Sequence, residues 1–227
     1  MPAARAALLA ATLLLAAPAY AHEGPENLDA EMFDREAYFQ PIDAPAPGFT
    51  LQDAAGNAVS LADLEDKIVV LAFIYATCPD LCPLHTAKLA ELQAAINASP
   101  MKDMVEFVAV TTDPANDTPE VMEAYGPAHS LDPANWTFLT SAPDAPEDAT
   151  RALAETYALQ FTPADGIQTH AAATHIIDRG GRLAAKFHGL DWDTANAALY
   201  INGLINNAAE QGGEDGGWFG RVRGLLQ

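Results

Sequence analysis

One segment restricts the fold of this chain more than any other: residues 67–75, which read KIVVLAFIY. The segment is an almost unbroken run of β-branched, aliphatic and aromatic side chains, without the polar alternation of a half-exposed strand. Such a run predicts a strand that is buried on both faces of its sheet. Because a sheet covered on both faces needs other elements packed against it, the segment favours an α/β architecture.

The remaining patterns alternate between strands and helices. Further strands are predicted at residues 49–52, 58–61, 105–112, 136–139, 174–178 and 183–187. Helices are predicted after Cys82, with Pro83 in the first turn, and also from Asp117, over 149–157 and over 192–210. Turns at Gly56-Asn57 and Gly180-Gly181 make hairpins of the first and last strand pairs. We therefore predict an α/β, thioredoxin-like fold with a central sheet flanked by helices and an N-terminal β-hairpin.

The first 21 residues have the pattern of a signal peptide. Arg5 precedes a short apolar run over residues 6–17, and Ala19-Tyr20-Ala21 fits the small-x-small cleavage rule. We expect cleavage after Ala21 and export to the periplasm. The alternative is an uncleaved leader that anchors the protein in the membrane.

The rest of the chain divides into three parts. The polar, proline-spotted residues 22–45 predict an extended lead-in, residues 46–210 predict the folded domain, and residues 211–227 predict a glycine-rich and then amphipathic tail. The formal net charge of −20 argues against a nucleic-acid partner, because phosphates would be repelled.

The only two cysteines, Cys78 and Cys82, follow the buried strand directly. At the start of a helix, a spacing of four residues brings both sulfurs to the same side. The partial positive charge of a helix N-terminus favours thiolate over thiol. A structural disulfide, two buried thiols, a redox pair and a soft-metal site all remain compatible with this spacing. Of the metals, Cu(I) suits thiolates best.

A selective copper site needs a third ligand, and a neutral imidazole is suitable. The chain has six candidates: His22, His85, His129, His170, His175 and His188. His85 points off the helix one turn beyond Cys82, which is compatible with a surface position. His170 and His175 flank the start of a predicted strand, and spacing alone does not choose between them.

Four segments together resemble the SCO/SenC family of copper chaperones, which help to assemble the copper centre of cytochrome c oxidase. FIYATCPDLCP is similar to the family's strand, loop and C-x-x-x-C-P site, and VAVTTDPANDTPEVMEAY to its second strand and acidic stretch. NWTFLT is similar to its short third strand, and THAAATHIIDRGGRLAAKFHG to the segment that carries its ligand histidine. The likeness spans about residues 46–208 in the family's order.

The resemblance implies a copper site formed by Cys78, Cys82 and His170. In the family, the ligand histidine stands eight residues before the turn that here begins at Asp178, which selects His170 over His175. Residues 171–173 depart from the family pattern, because all three are alanine. The implied cargo is copper, as Cu(I), Cu(II) or both. The implied acceptor is a protein such as cytochrome c oxidase subunit II, and other periplasmic copper or thiol-redox proteins are further possible partners.

An enzymatic alternative uses the same cysteines. A thiol-disulfide reductase could keep an acceptor's cysteines reduced through Cys78 and Cys82, without needing His170. A peroxidase is a weaker alternative, because Tyr75 stands where the T-x-x-C motif needs threonine. If cleavage occurs after Ala21, the amine and imidazole of His22 could also chelate Cu(II).

Three acidic residues lie near the predicted site. Asp113 is expected at the end of a strand, where it could tune the site or hydrogen-bond to it. Asp117 is interpreted as a helix cap. Asp80, between the cysteines, is expected either to recognise a partner or to face water.

Overall fold

The computed structural model describes residues 25–164, 167–169 and 171–216. The strands are β1 (Phe39–Pro45), β2 (Thr50–Gln52), β3 (Ala58–Ser60), β4 (Ile68–Ile74), β5 (Val105–Thr111), β6 (Trp136–Leu139), β7 (Thr162–Ala164), β8 (Ile167–Thr169), β9 (Ala173–Asp178) and β10 (Arg182–His188). The helices are α1 (Pro25–Arg35), α2 (Leu81–Asn97), α3 (Pro119–Ala128), α4 (Ala149–Thr156) and α5 (Thr194–Gly216). The predicted signal peptide, His22 and His170 lie outside the described residues.

The central sheet has six strands in the order β1-β10-β9-β4-β5-β6. The strands β4, β5 and β6 are parallel, whereas β9 runs antiparallel to β4 with Ala72 opposite Thr174. The chain therefore leaves β4 and β5 at the same edge of the sheet at which it enters β9. The loop that carries Cys78 lies at this edge, directly after β4, and leads to Cys82 in the first turn of α2.

Apolar side chains cover both faces of the sheet, as the run at residues 67–75 predicts. Alternate residues of β4 point to opposite faces: Val70 packs with Leu92 of α2 and Tyr200 of α5, while Leu71 packs with Ala154 of α4. Every residue of β4 is buried. The predicted α/β class and the N-terminal hairpin, formed by β2 and β3, are confirmed.

The extended lead-in predicted for residues 22–45 is wrong for residues 25–35, which are helical. This stretch forms α1, which packs against α5, and β1, which pairs with β10 at the edge of the sheet. The contact with α5 is close, since a Cβ at Gly203 would approach the Leu28 side chain to 2.8 Å. Prolines are compatible with β1 because an edge strand leaves some backbone N–H groups unpaired.

The last helix is longer than predicted, because α5 continues from Thr194 to Gly216, into the expected tail. Each further residue of a formed helix adds one backbone hydrogen bond, so a helix can extend beyond its packed face. Within the described part of the chain, no helix combines the length and apolar character that crossing a membrane requires.

Candidate metal centre

The two cysteines lie where β4 gives way to α2. A turn closed by the Cys78 N–H and the Tyr75 carbonyl (3.2 Å) leads into the site, and α2 begins at Leu81. The Cys82 N–H donates to the sulfur of Cys78 at 3.3 Å. The first cysteine therefore accepts a hydrogen bond from the N-terminal turn of α2, where donors are otherwise unpaired.

The environments of the two sulfurs are unequal. Burial acts to raise the pKa of Cys78, but hydrogen bonds from the Cys82 thiol, from the Asp80 and Cys82 backbone and from Tyr75 together lower it. Burial raises the pKa of Cys82, and its hydrogen bond to Cys78 raises it further. Cys82 is 2% exposed, whereas Cys78 is partly exposed. The thiolate form is therefore reached more easily at Cys78 than at Cys82, and both cysteines are free rather than disulfide-bonded.

A layer of aromatic side chains lies beside the cysteines. Tyr75 and Tyr125 are buried and pack in one cluster with Cys82 and Phe138. The Tyr75 side chain hydrogen-bonds to Cys78, and the Tyr125 hydroxyl lies 2.8 Å from that of Thr86. Burial raises the pKa of Tyr125 to about 12, so this hydroxyl stays neutral at ordinary pH. The layer shields one side of the pair from water.

The expected cap role of Asp117 is wrong. The helix α3 begins at Pro119 with Thr118 as its N-cap, and the Asp117 carboxylate points elsewhere. It accepts the Ala76 N–H at 3.1 and 3.2 Å and also the Thr111 hydroxyl. Pro119 fits the first turn of a helix whichever polar residue precedes it, so the sequence could not identify the cap. No pattern in the sequence indicates the contact between Asp117 and the loop that carries Cys78.

The other two acidic residues contact the solvent or their own loop. The Asp113 carboxylate accepts a hydrogen bond from the Asn116 side chain at 2.8 Å, and the Asp113 N–H donates to Thr111. Asp80 is exposed, which agrees with the expectation that it faces water.

The structure also shows where four of the six histidines lie. The surface position considered for His85 is wrong, because this residue is 2% exposed and its Nε2 lies 2.8 Å from the Thr174 hydroxyl. His175 is fully buried, and its Nε2 donates to the Tyr157 carbonyl at 3.1 Å. His188 bonds to Gln40 at the surface, and His129 packs against the Tyr125 ring.

Within residues 25–164, 167–169 and 171–216, no three His, Cys, Asp or Glu residues are placed to hold a metal ion together. The described residues therefore bring together two of the predicted ligands, Cys78 and Cys82. The third, His170, lies outside the described residues and stays a prediction.

A model of the SCO1/SenC family matches residues 40–206. The SCO1 protein homolog of Bacillus subtilis is 26% identical over 152 residues, which are 66% of this chain and 77% of that protein.

Two solved structures are similar over most of the chain. A SCO1/SenC family lipoprotein from Bacillus anthracis has a TM-score of 0.66 at 24% identity, covering 73% of this chain and 98% of that one. Bradyrhizobium japonicum ScoI, solved with copper bound, has a TM-score of 0.58 at 28% identity, covering 71% and 99%. These likenesses confirm the predicted thioredoxin-like fold. Because the family model spans most of the domain, the chain belongs to the SCO1/SenC family.

Proposed function

We propose that this protein binds one copper ion through Cys78, Cys82 and His170 and passes it to an acceptor protein. The observation that carries the proposal is the free cysteine pair at the start of α2, in which the Cys78 sulfur accepts the Cys82 N–H. A sulfur held in this way is prepared to be a thiolate, the form that binds a soft cation. Family membership and the copper-bound relative from Bradyrhizobium japonicum support the choice of copper.

The sheet topology supports His170 as the third ligand. Ala72, near the end of β4, pairs with Thr174, near the start of β9. The chain therefore enters β9 at the edge from which β4 leads to Cys78, and residue 170 stands three positions before that strand. An imidazole would complete a set of two sulfurs and one nitrogen, and neutral imidazole is a common copper ligand.

Binding would be linked to protons and to the redox state of the pair. Because the pKa of Cys82 is raised by burial, this thiol must lose its proton when copper binds, and affinity should rise with pH. Oxidation of Cys78 and Cys82 to a disulfide would remove both sulfur ligands. The redox state would thus decide whether the protein can carry copper.

The cellular setting follows from the leader and the family. A signal peptide over residues 1–21, cleaved after Ala21 or kept as an anchor, would place the domain in the periplasm. The acceptor we propose is the copper centre of cytochrome c oxidase, with subunit II as the direct partner, or a similar periplasmic copper protein. The acidic surface suits a partner with a cationic docking face.

An anaerobic Cu(I) titration of the reduced protein against a competing chelator tests this proposal. One ion should bind, and Cys78→Ser, Cys82→Ser and His170→Ala should each weaken binding by more than the roughly 10–100-fold typical of outer contacts. His188→Ala is the matched control, because the His188 imidazole hydrogen-bonds to the Gln40 side chain at the surface, and it should bind as the wild type does. Preference for Zn²⁺ over Cu(I), or equal binding by His170→Ala and the wild type, would refute the assignment.

A thiol-disulfide reductase is a second candidate. The observation that favours it is the unequal pair, with a lowered pKa at the partly exposed Cys78 and a raised pKa at the buried Cys82. Such an arrangement suits an attacking thiolate and a resolving thiol. In this case His170→Ala should lose copper but still reduce the disulfide of an oxidised acceptor at the wild-type rate. If the wild type reduces no such acceptor, this candidate fails.

A further inference from the structure

Asp117 is an acidic residue in an unusual position. It is 1% exposed, yet among the described residues no Lys, Arg or His side chain pairs with its carboxylate. Its partners are the Ala76 N–H and the Thr111 hydroxyl. A buried carboxylate without a cation is destabilising unless hydrogen bonds compensate for its lost hydration. Its burial therefore suggests a role beyond stability.

The partners of Asp117 connect the cysteine loop to the sheet. Ala76 stands two residues before Cys78, inside the turn that the Cys78 N–H closes on the Tyr75 carbonyl. Thr111 is the last residue of β5 and pairs with Ile74, the last residue of β4. A single carboxylate thus ties the middle of the loop to the rigid end of the sheet.

We infer that Asp117 is a positioning residue for Cys78, which holds the 75–78 turn so that the Cys78 sulfur stays within reach of the Cys82 N–H. The inference rests on the proposed function for its connection to copper. It deepens that function by identifying the contact that orients the more exposed ligand. Thr111 supports Asp117 through its hydroxyl, which also accepts the Asp113 N–H at 2.9 Å.

Two substitutions at Asp117 distinguish its role in orienting the turn from the effect of its negative charge. Asp117→Ala removes every acceptor and should release the turn, whereas Asp117→Asn keeps one acceptor oxygen for the Ala76 N–H. We expect Asp117→Ala to weaken Cu(I) binding about 10–100-fold, the usual cost of losing an outer contact of a ligand, and Asp117→Asn to restore most of the affinity. Thr111→Val, which removes the hydroxyl donor, should give a smaller loss in the same direction.

A measurement without copper tests the same contact. In the reduced, metal-free protein, the pH at which Cys78 reaches half of its maximal alkylation rate reports how strongly its thiolate is stabilised. Asp117→Ala should move this pH upward by about one unit, because the Cys82 N–H no longer stays on the sulfur. Asp117→Asn should remain close to the wild type.

Glu36→Ala is the matched control. Glu36 is 5% exposed and accepts the Asp193 N–H at 2.9 Å and the Asn196 side chain at 3.0 Å, at the start of α5. Both alanine variants should lower Tm, but only Asp117→Ala should change Cys78 alkylation. An unchanged alkylation profile in Asp117→Ala would overturn the inference. If Asp117→Ala does not fold, an unchanged profile in Thr111→Val would overturn it instead. Failure of the wild type to bind Cu(I) would instead refute the proposed function and leave the alkylation test valid.

Discussion

Two buried carboxylates, Glu36 and Asp117, accept similar hydrogen bonds at different places in the molecule. Glu36 accepts hydrogen bonds from N–H groups at the start of α5. It therefore joins the N-terminal segment, residues 25–45, to the last helix. Asp117 accepts the Ala76 N–H and joins the cysteine loop to the end of β5. The same kind of contact therefore stabilises the fold in one region and orients a reactive sulfur in the other. Substitutions in either region should lower stability, but only those at Asp117 should also change Cys78 alkylation and copper binding.

The largest effect on stability should come from the N-terminal segment. Phe39 is 3% exposed and packs edge-on against Phe187 and Tyr200, with ring centroids 5.4 and 4.9 Å away. Phe39→Ala should lower the free energy of unfolding by about 3–5 kcal/mol, as other buried Phe→Ala changes do. Urea denaturation measures the loss, and Cu(I) stoichiometry of the folded variant should not change.

The control for this prediction is Phe33→Ala, since Phe33 is 62% exposed on the neighbouring helix. We expect a change within about 0.5 kcal/mol for that variant. A loss from Phe39→Ala of only about 0.5 kcal/mol would mean that this part of the chain is not part of the core.

A smaller loss of stability is expected at acidic pH, and His175 is the residue responsible. Burial lowers the pKa of this histidine to about 4, whereas it is about 6.5 in an unfolded chain. Between these pH values the unfolded state binds the proton and the folded state does not. The contribution of neutral His175 to the free energy of unfolding is therefore complete above about pH 6.5 and is lost as the pH falls towards about 4. The expected loss between pH 7 and pH 5 is about 2 kcal/mol.

Urea denaturation at both pH values tests this expectation in wild type and in His175→Gln. The variant lacks the titrating group, so its stability should change less with pH by that amount. His188→Gln should reduce the pH dependence by less, because burial lowers the pKa of this partly exposed histidine to a smaller extent. A wild-type pH dependence in His175→Gln would show that other groups are responsible.

The smallest of the three effects concerns the contact between α2 and β9. Thr174→Val keeps the side-chain shape but removes the hydroxyl that lies 2.8 Å from His85 Nε2. We expect a loss of about 1–2 kcal/mol, because a buried nitrogen loses this partner. Thr156→Val, at an exposed hydroxyl, should cost less than about 0.5 kcal/mol in the same thermal or urea measurement. Equal costs would contradict the importance of the His85–Thr174 contact.

The sequence predicts the elements of some regions better than those of others, for physical reasons. The run at 67–75 predicted β4 because an uninterrupted apolar strand has few other places in a folded protein. Gly180 and Gly181 predicted a hairpin because both adopt positive φ angles, 79° and 78°, which other residues rarely tolerate. The helix α1 was missed because its packing depends on few apolar side chains, chiefly Leu28 and Met32, among many polar ones.

In the candidate site, too, one feature could be predicted from the sequence and another could not. The spacing of Cys78 and Cys82 predicted that their sulfurs lie close together, which the structure shows. Only Cys82 is in α2, however, because the helix begins at Leu81 and Cys78 lies in the loop before it. The contact between Asp117 and Ala76 joins residues 41 positions apart, and only the pairing of β4 with β5 brings them together. A short sequence motif contains no direct signal of such a contact.

X-ray absorption at the copper edge of the Cu(I)-loaded protein tests the central claim most directly. We predict a first shell with two sulfur ligands and one nitrogen ligand, and loss of the nitrogen in His170→Ala while both sulfurs remain. A wild-type shell without sulfur, or a nitrogen signal that His170→Ala leaves unchanged, would contradict the copper site proposed at Cys78, Cys82 and His170.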